Sequence, residues 1–294
     1  MAVGEIDHNR QKKIALISDF SGFGRCSIAV EQPIISVMGV QCCPIPTAVF
    51  SNHTGFPSFF RMDYTPYIEQ YIGEWKKLGL QFRGIATGFL GSAKQIELVK
   101  RFFQDFKSAD TLVVLDPVMG DYGKLYPSYS EELSARMHEL VPYADILLPN
   151  LTEACILTKT PYRTDFTDPE LNAICKELSE HGPAKIVISG ITNDQNLGNY
   201  VWERGKDAFF IWTERIGGYR SGSGDVFCAI IAADVVNGVP FAASVKKAAA
   251  FISEAVRESC SMELPLTDGL AIETCLWKLG TDFYDDYFEK REKR

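Results

Sequence analysis

Ile14-Ala-Leu-Ile-Ser-Asp19 decides the fold: four apolar residues in an unbroken run that ends on a serine and an aspartate. A strand with one face in water alternates apolar with polar residues. An unbroken run suits a strand covered on both faces, which is the habit of parallel sheets. Reading outward, residues 25–38 carry apolar side chains at three- and four-residue spacing, the period of a half-buried helix, and residues 41–50 are strand-like again. The alternation continues. Strands are expected at 84–89, 111–116, 144–149 and 185–189, and helices at 67–78, 93–107, 129–141 and 169–181. Residues 198–203 and 208–214, joined by Arg-Gly-Lys-Asp, read as a hairpin, followed by a helical pair at 222–237 and 241–260 and a last helix at 271–279. No Gly/Ser/Pro-rich linker interrupts the chain and no period of 20 to 50 residues repeats. The pattern predicts a single domain over 1–294 of the α/β class: an open, mostly parallel sheet with helices on both faces and an antiparallel hairpin at one edge.

Composition narrows the function. The 294 residues are 46% hydrophobic and 23% charged, inside the globular range. Thirty Lys and Arg against 38 Asp and Glu leave a formal charge of -8, and the only basic run is the short tail at 290–294, so a nucleic-acid partner is not expected. The most apolar stretch, 226–236, is broken by Asp234 and falls short of the ~20 residues needed to cross a bilayer. The start, MAVGEIDHNRQKK, has charge of both signs and no apolar signal core, which predicts a soluble, cytoplasmic protein with no membrane partner. The eight cysteines form no CxxC pair, and buried, reduced thiols are expected.

Ligands of open α/β sheets bind beyond the carboxyl ends of the strands, and three groups of residues stand there. The first is Gly217-Gly-Tyr-Arg-Ser-Gly-Ser-Gly-Asp225, which opens the most apolar helix. A small-residue loop at a helix start leaves backbone N–H groups and the positive end of the dipole facing an anion. A plain N-cap is the simpler account, but the density of Gly and Ser exceeds what a cap needs. The second group, Asp116, Asp121, Asn150 and Glu153, sets acidic and amide groups at the ends of two successive strands, where they could converge on Mg²⁺ and nucleotide phosphates. Turn aspartates and a helix cap at Asn150-Leu-Thr-Glu153 would give the same residues. The third pairs Ser18-Asp-Phe-Ser-Gly-Phe-Gly24 with Thr47-Ala-Val-Phe-Ser-Asn-His-Thr-Gly55, two polar loops offering hydroxyls and the His53 imidazole to a small ligand, with Phe50 and Phe56 for stacking. His53 has no partner at metal-ligand spacing.

Taken together and in this order, these motifs, with Thr87-Gly-Phe89, resemble those of the pyridoxal kinases of the ribokinase-like superfamily over roughly residues 12–260. The last motif of that family is usually Gly-Thr-Gly-Asp, and Ser223 keeps the hydroxyl of the threonine it replaces. The resemblance implies a three-layer, Rossmann-like fold. It implies Asp225 as general base toward a substrate hydroxymethyl, and Gly222, Ser223 and Gly224 as the anion hole for the transferred phosphoryl group. Ser21, Thr47 and Phe89 would line the vitamin pocket beside His53; some relatives carry Tyr where Phe89 stands. Asp116 and Glu153 would hold Mg²⁺, Asn150 and Ser189 would join them at the nucleotide phosphates, and ATP, a monovalent cation such as K⁺ and a homodimer complete the implication. The activity implied is ATP-dependent phosphorylation of the 5′-hydroxymethyl of pyridoxal, pyridoxine or pyridoxamine in B6 salvage. Its rivals are a hydroxymethylpyrimidine (phosphate) kinase, whose members more often carry Gln in the loop after the second strand, and a catalytically inactive vitamin-binding homologue, against which Asp225 counts. The adenine pocket is unmarked.

Overall fold

Successive residues of the first strand, β1 (Lys13–Ser21), serve opposite cores: Ala15 and Ile17 join one apolar cluster, Ile14 and Leu16 the other. That is how an unbroken apolar run is used, and the same division recurs along the sheet. The computed structural model of the protein describes residues 7–280; the basic tail at 290–294 lies outside them. After β1 come α1 (Ile28–Val37), β2 (Gln41–Phe50), β3 (Arg61–Asp63), α2 (Thr65–Lys77), β4 (Gly84–Thr87), α3 (Ala93–Phe106) and β5 (Leu112–Leu115). A small hairpin, β6 (Gly120–Asp121) and β7 (Lys124–Leu125), precedes α4 (Glu131–Arg136), β8 (Ile146–Leu147), α5 (Leu151–Leu157) and α6 (Asp168–Glu180). The described residues close with β9 (Lys185–Thr192), β10 (Asn196–Glu203), β11 (Phe209–Glu214), α7 (Ser223–Val236), α8 (Phe241–Ser261) and short 3₁₀ turns.

Among the described residues, nine strands form one open sheet in the order β11-β10-β9-β8-β5-β4-β1-β2-β3. The run from β9 to β2 is parallel, and the expected hairpin β10–β11 extends it antiparallel at one edge. Helices α2, α3 and α6 cover one face and α1, α7 and α8 the other. Every residue of α7 from Val226 to Val235 is buried, because the helix lies between the sheet, α1 and α8. The three-layer α/β expectation is met.

Departures from the expected elements have local causes. Helix α1 starts at Ile28 rather than 25, since Arg25 and Ser27 are held at positive φ. The helix expected at 129–141 divides into α4 and a 3₁₀ stretch, Met137–Tyr143, that contains Pro142. Residues 271–279 form two 3₁₀ turns, Ile272–Thr274 and Leu276–Leu279, instead of an α-helix; their buried Ile272, Cys275 and Leu279 pack into the second core. The three-residue β3, the β6–β7 hairpin and α5 were not anticipated as elements. Among the described residues no helix is long and apolar enough to cross a membrane. All eight cysteines are free, five of them buried and three half-buried.

Gly84 marks where the layers meet most closely: a Cβ there would lie 2.8 Å from Val236 Cγ2 of α7 and 2.9 Å from Ile14 Cγ1 of β1. Overpacking of this kind costs about 1–3 kcal/mol, so Gly84→Val should lower the urea midpoint accordingly with an unchanged m-value.

Candidate active site

The parallel strands deliver their polar ends to one side of the sheet. β1 bulges between Ser18 and Phe20, and the chain then turns through left-handed residues at Gly24, Arg25 and Ser27. Asp19 fixes that turn: Oδ1 accepts the Ser27 hydroxyl at 2.6 Å and Oδ2 the Ser21 hydroxyl at 3.1 Å. Burial nevertheless raises its pKa above the usual carboxylate value, since desolvation outweighs the two hydroxyls.

Opposite it, Gly222 caps α7 in the left-handed conformation (φ 83°), and a Cβ there would lie 2.1 Å from Arg25 O, so only glycine fits. Gly222, Ser223 and Gly224 therefore stand where α7 leaves its first N–H groups unpaired. Asp225, in the first turn, accepts the Ser27 N–H through Oδ2 at 2.7 Å. A helix N-terminus favours an ionised carboxylate. Burial outweighs that here and, with Asp19 nearby, pushes Asp225 up to about 6, while the Ser27 N–H opposes the rise.

Asp116 reaches the same place from β5: the position a Cβ would take on Gly224 is 3.8 Å from Asp116 Oδ2. Its carboxyl is buried, and burial, Glu153 and Asp225 together hold its pKa well above the ordinary value. Glu153 and Asn150 form a full capping box on α5, with Glu153 N donating to Asn150 Oδ1 at 3.0 Å and Asn150 N to Glu153 Oε2 at 2.8 Å. Glu153 Oε1 also accepts Met119 N–H at 3.0 Å, and Asn150 Nδ2 donates to Gly120 O at 2.8 Å, so the pair secures the Asp116–Asp121 loop. Burial still raises Glu153 despite these bonds. Ser189 bridges to Asn150 at the next strand end, while Asp121 accepts its neighbour Tyr122 N–H at 2.8 Å, inside the β6–β7 turn.

One carboxylate escaped sequence reasoning. Glu31 of α1 is fully buried, its Oε2 has no hydrogen-bond partner among the described residues, and Asp225, Asp116 and Asp19 add to the burial that raises its pKa far above normal. A Glu within a helix looks like any surface charge, so nothing in the sequence marked it. Among the described residues, none of Asp19, Glu31, Asp116, Glu153 and Asp225 is in an ion pair.

The expected alcohol-side residues divide. Phe89 is half-buried, set edge-on to Phe50 and Tyr129. Thr47 is fully buried and donates its hydroxyl to Phe89 O at 2.8 Å, which fixes Phe89. Ser21 is also buried, its hydroxyl committed to Asp19. The two loops touch directly, Gly22 N donating to Phe50 O at 2.9 Å. His53 has both ring nitrogens engaged: Nδ1 accepts Gly55 N–H at 3.0 Å and Nε2 lies 2.7 Å from Thr267 O. That pairing places the proton on Nε2.

The phosphomethylpyrimidine kinase family matches residues 34–266. The chain belongs to that family. It is 31% identical over 206 residues to the pyridoxal kinase of Arabidopsis thaliana, covering 67% of this chain and 65% of that protein, just under two thirds of the relative's length. It is 31% identical over 185 residues to the hydroxymethylpyrimidine/phosphomethylpyrimidine kinase of Haemophilus influenzae, 61% of this chain and 67% of the other. A Bacteroides thetaiotaomicron protein assigned as a phosphomethylpyrimidine kinase superposes with a TM-score of 0.91 at 38% identity, covering 94% of this chain and 96% of that one, and a second crystal form of it contains pyridoxal. The resemblance to pyridoxal kinases of the ribokinase-like superfamily therefore stands.

Thr47 supplies a direct check on the geometry. Thr47→Val strands Phe89 O without its donor, which costs about 1–3 kcal/mol for a buried group, so the melting temperature should fall with no ligand present. A hydroxyl serving only a ligand would leave the unliganded protein's stability unchanged.

Proposed function

We propose that the protein is an ATP-dependent kinase of the pyridoxal 5′-hydroxymethyl group, with pyridoxine and pyridoxamine as further acceptors, acting in cytoplasmic B6 salvage. The observation that carries the reading is Asp225: a carboxylate at the start of α7, beside an anion-binding loop, with a pKa near 6. At pH 7.5 it is ionised yet basic enough to accept a proton, the condition a general base requires. It would take the proton of the substrate hydroxyl as that oxygen attacks the γ-phosphorus of ATP, and ADP leaves. Gly222, Ser223 and Gly224 would face the charge that develops on the transferred phosphoryl group.

Asp116 suits a metal–nucleotide. It is a buried carboxyl, raised by its like-charged neighbours and free of any ion pair among the described residues, and Mg²⁺ characteristically takes one or two carboxylates with waters and phosphate oxygens. Bound there, the ion would neutralise phosphate charge. Asp116 would hold it, Glu153 would stand behind with its oxygens already on backbone N–H groups, and Asn150 and Ser189 would border the phosphates. The expected K⁺ dependence and homodimer belong to the same proposal, and sedimentation checks the latter.

Support for pyridoxal as the alcohol comes from the Arabidopsis relative and from the pyridoxal-containing form of the Bacteroides protein. The family description and the Haemophilus relative favour hydroxymethylpyrimidine as the second reading. ADP release measured with each alcohol separates them: pyridoxal should give the higher kcat/KM, and a preference for hydroxymethylpyrimidine would reverse the assignment.

Asp225→Asn tests the base. Turnover should fall about 10²–10⁴-fold, since Asn keeps an acceptor for Ser27 N–H but cannot take a proton. In the parent, the rate should decline below an apparent pKa near 6 as Asp225 protonates. Stability moves the other way. An aspartate whose folded pKa is raised contributes stability fully present below its unfolded value and lost as pH rises through 6, so ionised Asp225 weakens the fold at neutral pH. Asp225→Asn should therefore melt higher than the parent at pH 8, with the gain shrinking at pH 5. A variant that keeps more than about half the parental turnover removes Asp225 as the base.

A further inference from the structure

Three loops of the site, distant in sequence, are fastened to one short turn at residues 264–269, which contains the 3₁₀ segment Leu266–Asp268. From the anion loop, Arg220 donates through Nη2 to Leu264 O at 3.0 Å and through Nη1 to Pro265 O at 3.1 Å and Gly269 O at 3.4 Å. From the loop after β2, His53 Nε2 lies 2.7 Å from Thr267 O. From the loop after β1, Arg25 Nη1 donates to Asp268 O at 3.1 Å. Gly269 is left-handed (φ 78°), and a Cβ on it would lie 2.6 Å from Gly24 O, so the turn is pressed against that loop as well.

Two of these ties are expensive for a merely space-filling role. The Arg220 side chain is buried, and among the described residues it has no carboxylate in an ion pair and no partner for Nε. Burying an unpaired guanidinium is costly, and an apolar residue would fill the volume without that cost. What a guanidinium adds is a planar fork of donors that fixes several carbonyls at once. His53 is committed at both nitrogens, so it joins Gly55 to Thr267 as a rigid bracket.

We propose that the turn at 264–269 is a crosspiece setting the anion loop against the alcohol-side loop, with Arg220 and His53 as the positioning residues that fasten its two ends. The inference rests on the reading above only in placing a nucleotide at the anion loop, and it holds for either alcohol. Its value lies in distance: phosphoryl transfer needs the attacking oxygen within about 3–3.5 Å of phosphorus, and a misplacement of about 1 Å can cost 10²-fold. The two loops otherwise belong to different ends of the chain.

Amide hydrogen exchange on the full chain, with and without Mg·ADP, tests it. In the parent, ADP should slow exchange at the anion loop and, through the crosspiece, at Gly55 and Phe56, by at least about five-fold, the lower end of ordinary coupling between sites. Arg220→Lys and His53→Phe should each keep protection of the anion loop and lose it at Gly55 and Phe56. His53→Gln, whose amide can donate to Thr267 O, should restore part of it. A residue with only a structural role would lower the melting temperature and leave ADP-dependent protection in place. Protection confined to residues 217–227 and 264–269 in the parent overturns the crosspiece, as does protection of Gly55 and Phe56 that survives in both variants. Should Arg220→Lys fail to fold, the two His53 variants decide. Absence of any ADP effect at the anion loop itself refutes the nucleotide reading, and the crosspiece with it.

Discussion

Five carboxylates crowd the space under the start of α7, and the rest of the site follows from how their repulsion is managed. Asp19 is given two hydroxyls, Glu153 backbone N–H groups and Asp225 the Ser27 N–H; Asp116 and Glu31 receive least, and they are the two pushed furthest from ordinary carboxylate behaviour. Desolvation leads in every case, reinforced by like-charged neighbours and opposed by hydrogen bonds where these are made. Such a centre disfavours a second anion unless cations arrive with it, which accords with a nucleotide that enters carrying its metal. Asp225 is raised to about 6, which lets it accept a proton near neutral pH.

The crowding is a result of the sheet. Parallel strands place their carboxyl ends on one side, so Asp19, Asp116, Asn150 and Ser189, though separated by as much as most of the chain, end within one layer. Much of this was legible in the sequence, because strands covered on both faces leave unbroken apolar runs and end abruptly on polar residues. Ile14–Asp19 is the clearest instance, and its two-faced use in the cores is what the run predicts. The Gly/Ser loop before α7 was equally visible, and at Gly222 only glycine fits against Arg25 O.

What the sequence did not disclose lies where local pattern carries no information. β3 spans three residues, and β6 and β7 two each, too short for any period to emerge, while α5 shows itself only through its capping box. The spacing of Ile272, Cys275 and Leu279 imitates a helix but serves successive 3₁₀ turns laid on the second core. Within the site, motif membership did not foretell side-chain direction: the bulge in β1 turns Ser21 onto Asp19, and Thr47 points to Phe89. The partner of His53, Thr267 O, is a backbone atom some 200 positions away, which no motif encodes.

The position of α7 also governs how the chain can be made. β4 and β5 acquire one covering layer from α2 and α3, which lie close by in sequence, yet much of their other face, with Ala86 and Val114, is closed by α7. A ribosome must therefore release more than two thirds of the polypeptide before that surface is sheltered. Until then a half-built sheet presents an apolar flank to water or to other nascent chains, the kind of exposure that invites chaperones and aggregation. Truncation upstream of residue 223 should leave a chain with its strands present and one side of its interior facing water.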